Sequence, residues 1–327
     1  MQCKKTFSET LKFGNSMHYQ AAKLYFTEES SYRAVGRELG ITPLTAFRWI
    51  DKLGRNCKSF EKIAQELKPR WGGYLLADGK AVFIRGKEYA LLLTADAHTQ
   101  DIPIAQLAMS ESKEGWESVF IPLRDRIPYP LQSLVIDGDF GLLAAIKRVF
   151  PKIPIQLCVR HVEQFLLYHF RYKYKGSGRG VDKFLEMARE ILYAPDLEKW
   201  GESVKFFEAH RSTWRSCGLE AEYLSFMDKI PNIGTHFFHP GMPRTNNIIE
   251  GIIRILSRKI NDTDGFESFE TAWNSLKLLI MNYRFHPFSC SRIKDHNGLS
   301  PLELAGVDIS NHSWVEFSQK SNVINPN

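Results

Sequence analysis

Residues 133–161 constrain the fold more than any other stretch, because they predict a strand, a helix and a second strand in direct succession. The first apolar run stops abruptly at Asp137, and the helical run over 142–150 has apolar residues at helical spacing. The second apolar run ends in a Cys-x-x-His sequence made by Cys158 and His161. In open α/β sheets, ligands bind just outside the carboxyl ends of the strands. The sequence therefore predicts an acid, a thiol and an imidazole at one edge of a sheet.

A further acid interrupts the strand-like run 74–85, YLLADGKAVFIR, which is otherwise almost wholly apolar. This acid is Asp78, and an isolated ionised carboxylate in a core strand is costly unless something compensates its charge. A bound cation is the simplest compensation. Two ordinary interpretations stay open: Asp78 occupies a bulge or turn beside Gly79, and Asp137 is the N-cap of the helix that follows it.

The order of the predicted elements relates these two acids. Strand-like runs cover 74–85, 89–95 and 102–109, and an amphipathic helix over 111–127 precedes the strand–helix–strand unit. Three antiparallel strands followed by α/β crossovers are the order of an RNase H-like sheet, in which strands one and four are neighbours. Asp78 and Asp137 would then face each other across 59 residues of sequence. We therefore predict an α/β fold with an RNase H-like mixed sheet.

Composition narrows the class of protein. The 327 residues carry 43 Lys and Arg against 37 Asp and Glu, and this net charge of +6 permits nucleic-acid binding without establishing it. The five cysteines form no Cys-x-x-Cys pair, which argues against a disulfide framework and a zinc ribbon. No apolar run approaches the ~18–20 residues of a membrane span, and the start lacks the apolar core of a signal peptide. We expect a cytoplasmic protein.

The N-terminal region predicts a helix-turn-helix domain. A helix over 32–39 ends at Gly40, and Thr42 and Pro43 suit the N-cap and the first position of the next helix. A helix, a glycine-containing turn and a short helix with basic outer residues are typical of this DNA-binding motif. A plain helical bundle or a protein-docking domain stays an alternative. Candidate DNA contacts are Thr45 and Arg48 in a groove, and Lys52 and Arg55 on phosphates.

A third acid lies on a later helix. Residues 162–243 lose strand character and predict an all-helical insertion, after which the helix 245–260 has a wide apolar stripe. Asn246, Asn247 and Glu250 are assigned to its polar face, and Glu250 is the only acid of the helix. The ordinary alternative is an exposed helix with an ion pair between Glu250 and Arg254, which contributes only a few tenths of a kcal/mol.

Taken in order, these motifs resemble the DDE-type transposases, closest to the Mutator-like class. The shared features are an acid inside the first strand, an acid closing the fourth, Cys-x-x-His after the fifth, and Asn-x-x-Glu on a late helix. They read LLADG, LVIDGDFG, LCVRH and TNNIIEG. The resemblance covers roughly residues 74–284.

The resemblance implies a site. Asp78, Asp137 and Glu250 would be the catalytic acids that bind two Mg²⁺ or Mn²⁺ ions, with His161 on the scissile phosphate and Cys158 and Asn247 in supporting positions. The family pattern places the second acid directly after the strand, which favours Asp137 over Asp139. Phosphate contacts are assigned to Arg244, Arg254, Arg258 and Lys259.

The implied activity is DNA transposition: cleavage by water frees a 3′-OH at the end of a mobile element, and that 3′-OH is joined to target DNA. The partners would be double-stranded DNA and further copies of the chain, a homodimer or higher, at the nucleoid of a bacterial or archaeal host. A domesticated, non-catalytic DNA-binding protein and a metal-dependent nuclease without strand transfer are the alternatives.

The sequence thus predicts five segments. These are a helix-turn-helix DNA-binding domain at 1–58, a connector at 59–73, the first part of the RNase H-like catalytic domain at 74–161, the all-helical insertion at 162–243, and the C-terminal helices and tail of the catalytic domain at 244–327.

Overall fold

A computed structural model describes residues 15–175, 178, 180–263, 265–291 and 293–319. The predicted absence of a signal peptide at the start, and the extreme ends of the first and last predicted segments, therefore lie outside the described residues. The chain divides into two compact units. We call Met1–Pro69, Val82–Glu88 and Arg254–Asn327 the helical unit, and Arg70–Ala81 and Tyr89–Ile253 the sheet unit.

Five strands form one mixed sheet with the order β3-β2-β1-β4-β5. They are β1 (Tyr74–Ile84), β2 (Lys87–Asp96), β3 (Ala105–Ala108), β4 (Ser133–Ile136) and β5 (Ile155–Leu157). The prediction that the first and fourth strands are neighbours is confirmed, and β1, β4 and β5 run parallel. Arg85 and Gly86, both with positive φ, form the two-residue connection from β1 to β2, as is usual in tight hairpins.

The described residues also form α-helices, which come before, between and after the strands along the chain. They are α1 (Asn15–Phe26), α2 (Tyr32–Leu39), α3 (Pro43–Arg55), α4 (Phe60–Leu67), α5 (Lys113–Asp125), α6 (Phe140–Val149), α7 (Val159–Tyr174), α8 (Val181–Leu192), α9 (Leu197–Ala209), α10 (Arg211–Ser216), α11 (Glu220–Met227), α12 (Ile230–Ile233), α13 (Asn247–Asn261), α14 (Phe269–Phe285), α15 (Pro301–Leu304) and α16 (Trp314–Ser318). The fold is therefore a mixed α/β fold, and the boundary between the two units falls within β1, β2 and α13.

The sheet unit has two cores. Every residue of β4 is buried, as expected for a strand covered on both faces of the sheet. Between β5 and α13 the described residues contain helices and no strand. An aromatic cluster centred on Phe184 joins these helices, with ring centroids 5.0–6.1 Å from those of its partners. The partners are Phe170, Phe207, Trp214 and Phe226.

In the helical unit the turn between α2 and α3 follows the predicted local chemistry. Gly40 ends α2 in the left-handed conformation with φ 65°, and the side chain of Thr42 accepts a hydrogen bond from Thr45 N at 3.1 Å. Pro43 occupies the first position of α3, where its missing N–H is not needed. Among the described residues, no helix is both long and apolar enough to span a membrane.

Candidate active site

Two acids lie on neighbouring parallel strands of the sheet unit. The register pairs Leu76 of β1 with Val135 of β4, an offset of 59 residues, and the same offset places Asp78 opposite Asp137. β1 continues without interruption through Asp78, so this acid lies in a strand and not in a turn. Burial and the nearby charge of Asp137 raise the pKa of Asp78 to about 7. The charge of Asp137 therefore disfavours ionisation of the neighbouring Asp78 carboxyl group.

Asp139, two residues after Asp137, clarifies the role of Asp137. Asp139 caps α6, because its Oδ1 accepts a hydrogen bond from Leu142 N at 3.0 Å. Asp137 accepts a hydrogen bond from Asp139 N at 3.0 Å and lies two residues before the cap. The interpretation of Asp137 as the helix N-cap is therefore wrong. Since Asp139 is occupied as the cap, the geometry favours Asp137 as the acid that faces Asp78.

β5 brings the Cys-x-x-His sequence to the same edge. The N–H of Cys158 donates to Ile136 O at 2.7 Å, directly before Asp137. Cys158 is fully buried, which agrees with the prediction that it packs behind the strand. His161 lies one turn into α7 and remains partly exposed. The adjacent Cys158 sulfur, with the carboxylates of Asp137 and Glu250, outweighs the opposite effect of burial and raises the pKa of His161 to about 9.

The segment before α13 is tied to both strands, and this positions Glu250. Asn246 N donates to Cys158 Sγ at 3.2 Å, while its side-chain Nδ2 donates to Ala77 O at 3.2 Å. Asn246 is fully buried, so its assignment to the exposed polar face of the helix was wrong. The main-chain N–H of Asn246 bonds to the residue after β5, and its side-chain amide bonds to β1. The bond to β1 explains why an Asn stands directly before this helix. One turn later, Glu250 N donates to Asn246 O at 3.1 Å.

Glu250 pairs with α7 and not with Arg254 of its own helix. Its Oε1 lies 3.8 Å from His161 Nε2, and its Oε2 lies 3.8 Å from Arg160 Nη1. Arg160 also donates to Asn247 Oδ1 at 2.9 Å, which ties the first residue of α13 to the start of α7. The exposed i,i+4 pair expected from the alternative interpretation is therefore not the arrangement found.

A fourth carboxylate, Glu111, was missed by sequence reasoning. A Cβ on Gly79 would lie 2.2 Å from the carboxylate carbon of Glu111, so Gly79 leaves the space that this side chain fills. The charge of Glu111 contributes to the raised pKa of Asp78. A Cβ on Gly141 would likewise lie 2.3 Å from Glu111 O. The signal was a glycine shortly after each of the two acids, Gly79 in β1 and Gly141 in α6, which leaves room for Glu111.

The donor set fits divalent cations. Asp78, Asp137 and Glu111 present carboxylate oxygens where like charges oppose one another, and a cation would relieve that repulsion. Oxygen donors of this kind suit Mg²⁺ or Mn²⁺. Among the described residues, a tighter cluster joins Cys158, His161 and Glu250, whose candidate ligand atoms lie within 4.8 Å of one another. His161 belongs to this cluster, and it also interacts electrostatically with Asp78 and Asp137.

The predicted DNA contacts differ in exposure. Arg48, Lys52, Arg244, Arg254 and Arg258 are exposed, and Thr45 is partly buried with its hydroxyl 2.8 Å from that of Thr42. The guanidinium of Arg244 lies over the ring of Tyr193, 5.7 Å from its centroid. Arg55 is exposed but pairs with Asp51 and with Glu270, the latter at 3.6 Å.

One of these assignments requires correction. Lys259 is 4% exposed, donates to Ser30 O at 2.7 Å and lies 3.6 Å above the ring centroid of Tyr25. Burial lowers its pKa to about 8. Lys259 therefore stabilises the helical unit and cannot reach a DNA phosphate in this structure.

Comparisons with known proteins address the family. The family model described as "Transposase, Mutator family" matches residues 74–284. No curated protein matches the chain. Among solved structures, a chain from "CryoEM structure of simian T-cell lymphotropic virus intasome in complex with PP2A regulatory subunit B56 gamma" matches with 14% identity and a TM-score of 0.20. The match covers 54% of this chain and 70% of that chain. A TM-score this low carries no argument about fold.

Proposed function

Because the chain belongs to the Mutator family of transposases, we propose that it cleaves DNA at the ends of a mobile element and joins the freed 3′-OH to target DNA. The observation that carries this proposal is the pairing of Asp78 and Asp137 across β1 and β4, beside a His161–Glu250 contact. Acids on adjacent strands and on a late helix are what metal-dependent phosphoryl transfer needs.

In the proposed mechanism, Asp78, Asp137 and Glu250 hold two Mg²⁺ or Mn²⁺ ions, and Glu111 is a further oxygen donor. When bound, such ions activate the attacking oxygen and stabilise the leaving oxygen of an in-line displacement. His161, whose pKa is raised to about 9, is protonated at neutral pH and would donate a hydrogen bond to a phosphate oxygen. Asn246 positions Glu250 by fixing the start of α13 to β1 and β5.

We also propose that the sheet is RNase H-like and that α2 and α3 form a helix-turn-helix. The strand order β3-β2-β1-β4-β5 supports the first assignment, and the left-handed Gly40 between two capped helices supports the second. Thr45 and Arg48 would contact bases, with Lys52 and Arg55 on phosphates. Exposed Arg244, Arg254 and Arg258 would also contact phosphates, so that binding weakens steeply with salt.

The five predicted segments carry over as proposals: end binding at 1–58, a connector at 59–73, catalysis at 74–161 and 244–327, and a helical insertion at 162–243. The active form would be a homodimer or higher on double-stranded DNA, acting at the nucleoid of its host.

A supercoiled plasmid incubated with a marked end fragment and Mg²⁺ tests the proposed activity. A transposase gives joined products, a nuclease gives nicks alone, and a domesticated DNA-binding protein gives neither. Asp137→Asn should abolish cleavage while sparing end binding. Asp139→Asn is the matched control, because it removes the same charge two residues away and Asn still caps a helix. Wild-type cleavage by the Asp137→Asn protein would refute the assignment.

A further inference from the structure

The outer face of α7 begins at the candidate active site and runs away from it. Cys158 immediately precedes this helix, and His161 lies in its first turn. At helical spacing beyond that turn, the helix exposes aromatic and basic side chains together. We define the α7 outer face by its exposed residues Arg160, Gln164, Tyr168, Arg171, Tyr172 and Lys175.

Packing does not account for the two tyrosines of this face. Tyr168 is 73% exposed and Tyr172 is 83% exposed, while Leu166 and Phe170 on the opposite side of the helix are buried. Neither tyrosine has a hydrogen bond or a ring contact with any residue that the structure describes. Two large aromatic rings one helical turn apart are thus open to solvent.

The rest of α7 is fixed, so the exposure of these rings is built into the fold. Buried Glu222 of α11 accepts hydrogen bonds from His169 at 3.1 Å, Lys173 at 2.6 Å and Tyr174 at 3.1 Å. These three residues anchor the C-terminal half of α7 on the side away from the two tyrosines. The helix therefore cannot rotate to bury Tyr168 and Tyr172 without breaking this cluster.

The charge of the face indicates the class of occupant. Arg160, Arg171 and Lys175 interleave with the tyrosines, and the face contains no acid. The acid of α7, Glu163, lies off this face and pairs with Arg189 at 2.7 Å and with Tyr193 at 2.6 Å. Basic side chains between exposed rings are the pattern by which proteins hold single-stranded nucleic acid, with cations on phosphates and bases stacked on the rings.

We propose that the α7 outer face binds unpaired bases of the DNA strand that leaves the active site. The inference rests on the proposed function for the presence of that strand. Tyr168 and Tyr172 lie seven and eleven residues after His161, which is about 10 Å and 16 Å along the helix axis.

A duplex is the weaker fit for this face. Paired and stacked bases do not present their ring faces to a protein, whereas unpaired bases stack on aromatic side chains irrespective of sequence. A second copy of this chain would also cover exposed rings, but an interface between identical basic faces would bring like charges together. The following experiment separates a contact between copies from nucleic-acid binding, and its probe is an unpaired strand.

The test measures binding of the full chain to fluorescein-labelled oligothymidine at fixed salt, because oligothymidine has no paired form. A Tyr168→Ala/Tyr172→Ala variant should bind at least about tenfold more weakly, since stacking contributes about 1–3 kcal/mol per base. A Tyr168→Phe/Tyr172→Phe variant keeps the rings and should bind within about twofold of wild type. Phe206→Ala, which removes a 54% exposed ring from α9, is the matched control and should have no effect.

Three results would overturn the proposal. One is undiminished binding by the double alanine variant. Another is equal loss in the double phenylalanine variant, which would assign the effect to the hydroxyl groups. The third is a change of oligomeric state in light scattering with no change in DNA binding, which would make the face a contact between copies. Failure of the proposed function gives a different result. If the wild-type protein neither nicks nor joins plasmid DNA, transposition is refuted. If the double alanine variant still loses oligothymidine binding, the α7 outer face is supported as a site for unpaired bases.

Discussion

Two carboxylates, Asp78 and Asp96, lie towards opposite ends of the strands of the sheet, and their surroundings differ. Asp96 ends β2 and lies near the start of β1, because the next residue, Ala97, donates its N–H to Tyr74 O at 2.9 Å. Asp78 lies four residues further along β1, towards the edge where the candidate site is. Asp96 is fully buried and Asp78 partly buried. Their hydrogen bonding separates them far more than their burial does.

Asp96 is saturated with donors. Its two oxygens accept six hydrogen bonds, from the N–H groups of residues 72, 73, 98 and 99 and from two hydroxyl groups. The hydroxyls belong to Thr99 and Tyr129, the latter at 2.7 Å. Asp78 accepts one hydrogen bond within the described part of the chain, from Gly79 N at 2.8 Å. A carboxylate whose oxygens accept many hydrogen bonds stabilises the fold. A carboxylate that has unused lone pairs and faces another acid is suited to binding a cation.

The largest expected difference between Asp78 and Asp96 is in the rate of DNA cleavage. Asp78→Asn should reduce DNA cleavage by at least about a thousandfold, because a residue that acts only in the transition state contributes several kcal/mol to its stabilisation. Stability should be kept, since the change removes a carboxylate that burial and Asp137 already disfavour. Gel-based cleavage and urea unfolding measure the two quantities. Normal cleavage by Asp78→Asn would break the contrast.

The converse change affects folding. Asp96→Asn should lower the free energy of unfolding by about 3–5 kcal/mol, because an amide NH₂ cannot accept the hydrogen bonds of one oxygen and each buried donor left unpaired costs about 1–3 kcal/mol. Cleavage per folded molecule should remain near wild type. Asp125→Asn is the control, because Asp125 is exposed and bonds only to Arg124 among the described residues. Unchanged stability in Asp96→Asn would contradict the structural role.

A third carboxylate extends the comparison to pH. Burial alone would raise the pKa of Glu222, but hydrogen bonds from Lys173, His169 and Tyr174 outweigh it and lower the pKa from 4.5 to about 2. Its stabilising contribution is therefore present above pH 4.5 and is lost as pH falls towards 2. Glu222→Gln should cost about 2–3 kcal/mol at pH 7 and progressively less below pH 4.5.

Urea unfolding at several pH values checks the prediction for Glu222. Glu220→Gln is the control on the same helix, since Glu220 is partly exposed and pairs with Arg215 at 3.2 Å. A stability difference between wild type and Glu222→Gln that is constant from pH 7 to pH 3 would show that the hydrogen bonds do not depend on the charge.

The smallest effect concerns metal binding. Mg²⁺ in excess over its dissociation constant should stabilise the wild-type protein by about 1–2 kcal/mol, because a ligand that binds only the folded state shifts the unfolding equilibrium. Asp78→Asn should lose most of this stabilisation, and Asp96→Asn should retain it. Thermal unfolding with Mg²⁺ and with EDTA measures the difference. Equal stabilisation of both variants would place the cation away from Asp78.

The order of the predicted elements and the turn residues between them made much of the sheet predictable. The neighbouring positions of β1 and β4 follow from the order of the elements, and the strand before Cys158 and the turn at Gly40 follow from local pattern. All three are confirmed. The third strand is shorter than predicted, because residues 102–104 are buried outside the ladder. Apolar runs identify a buried segment but not whether it pairs.

The errors around the site have one physical origin, which is contact between residues distant in sequence. Asn246 was assigned to the polar face of the helix, yet it is buried and bonds to Ala77 and Cys158 far upstream. Lys259 was assigned to DNA, yet it is buried against Tyr25. Glu111 was predicted as the start of a helix, and its proximity to Gly79 depends on the approach of the β3–α5 loop to β1. Helical periodicity describes which face a residue is on, not what that face meets.

The central claim is that Asp78 and Asp137 are paired because they share cations. A crystal structure of the full chain with Mn²⁺, with the ions located by anomalous scattering, tests it most directly. The account predicts an ion bound by carboxylate oxygens of both Asp78 and Asp137 at about 2 Å, with Glu250 among the ligands of the site. Mn²⁺ bound to neither aspartate, or bound only by Cys158, His161 and Glu250, would contradict it.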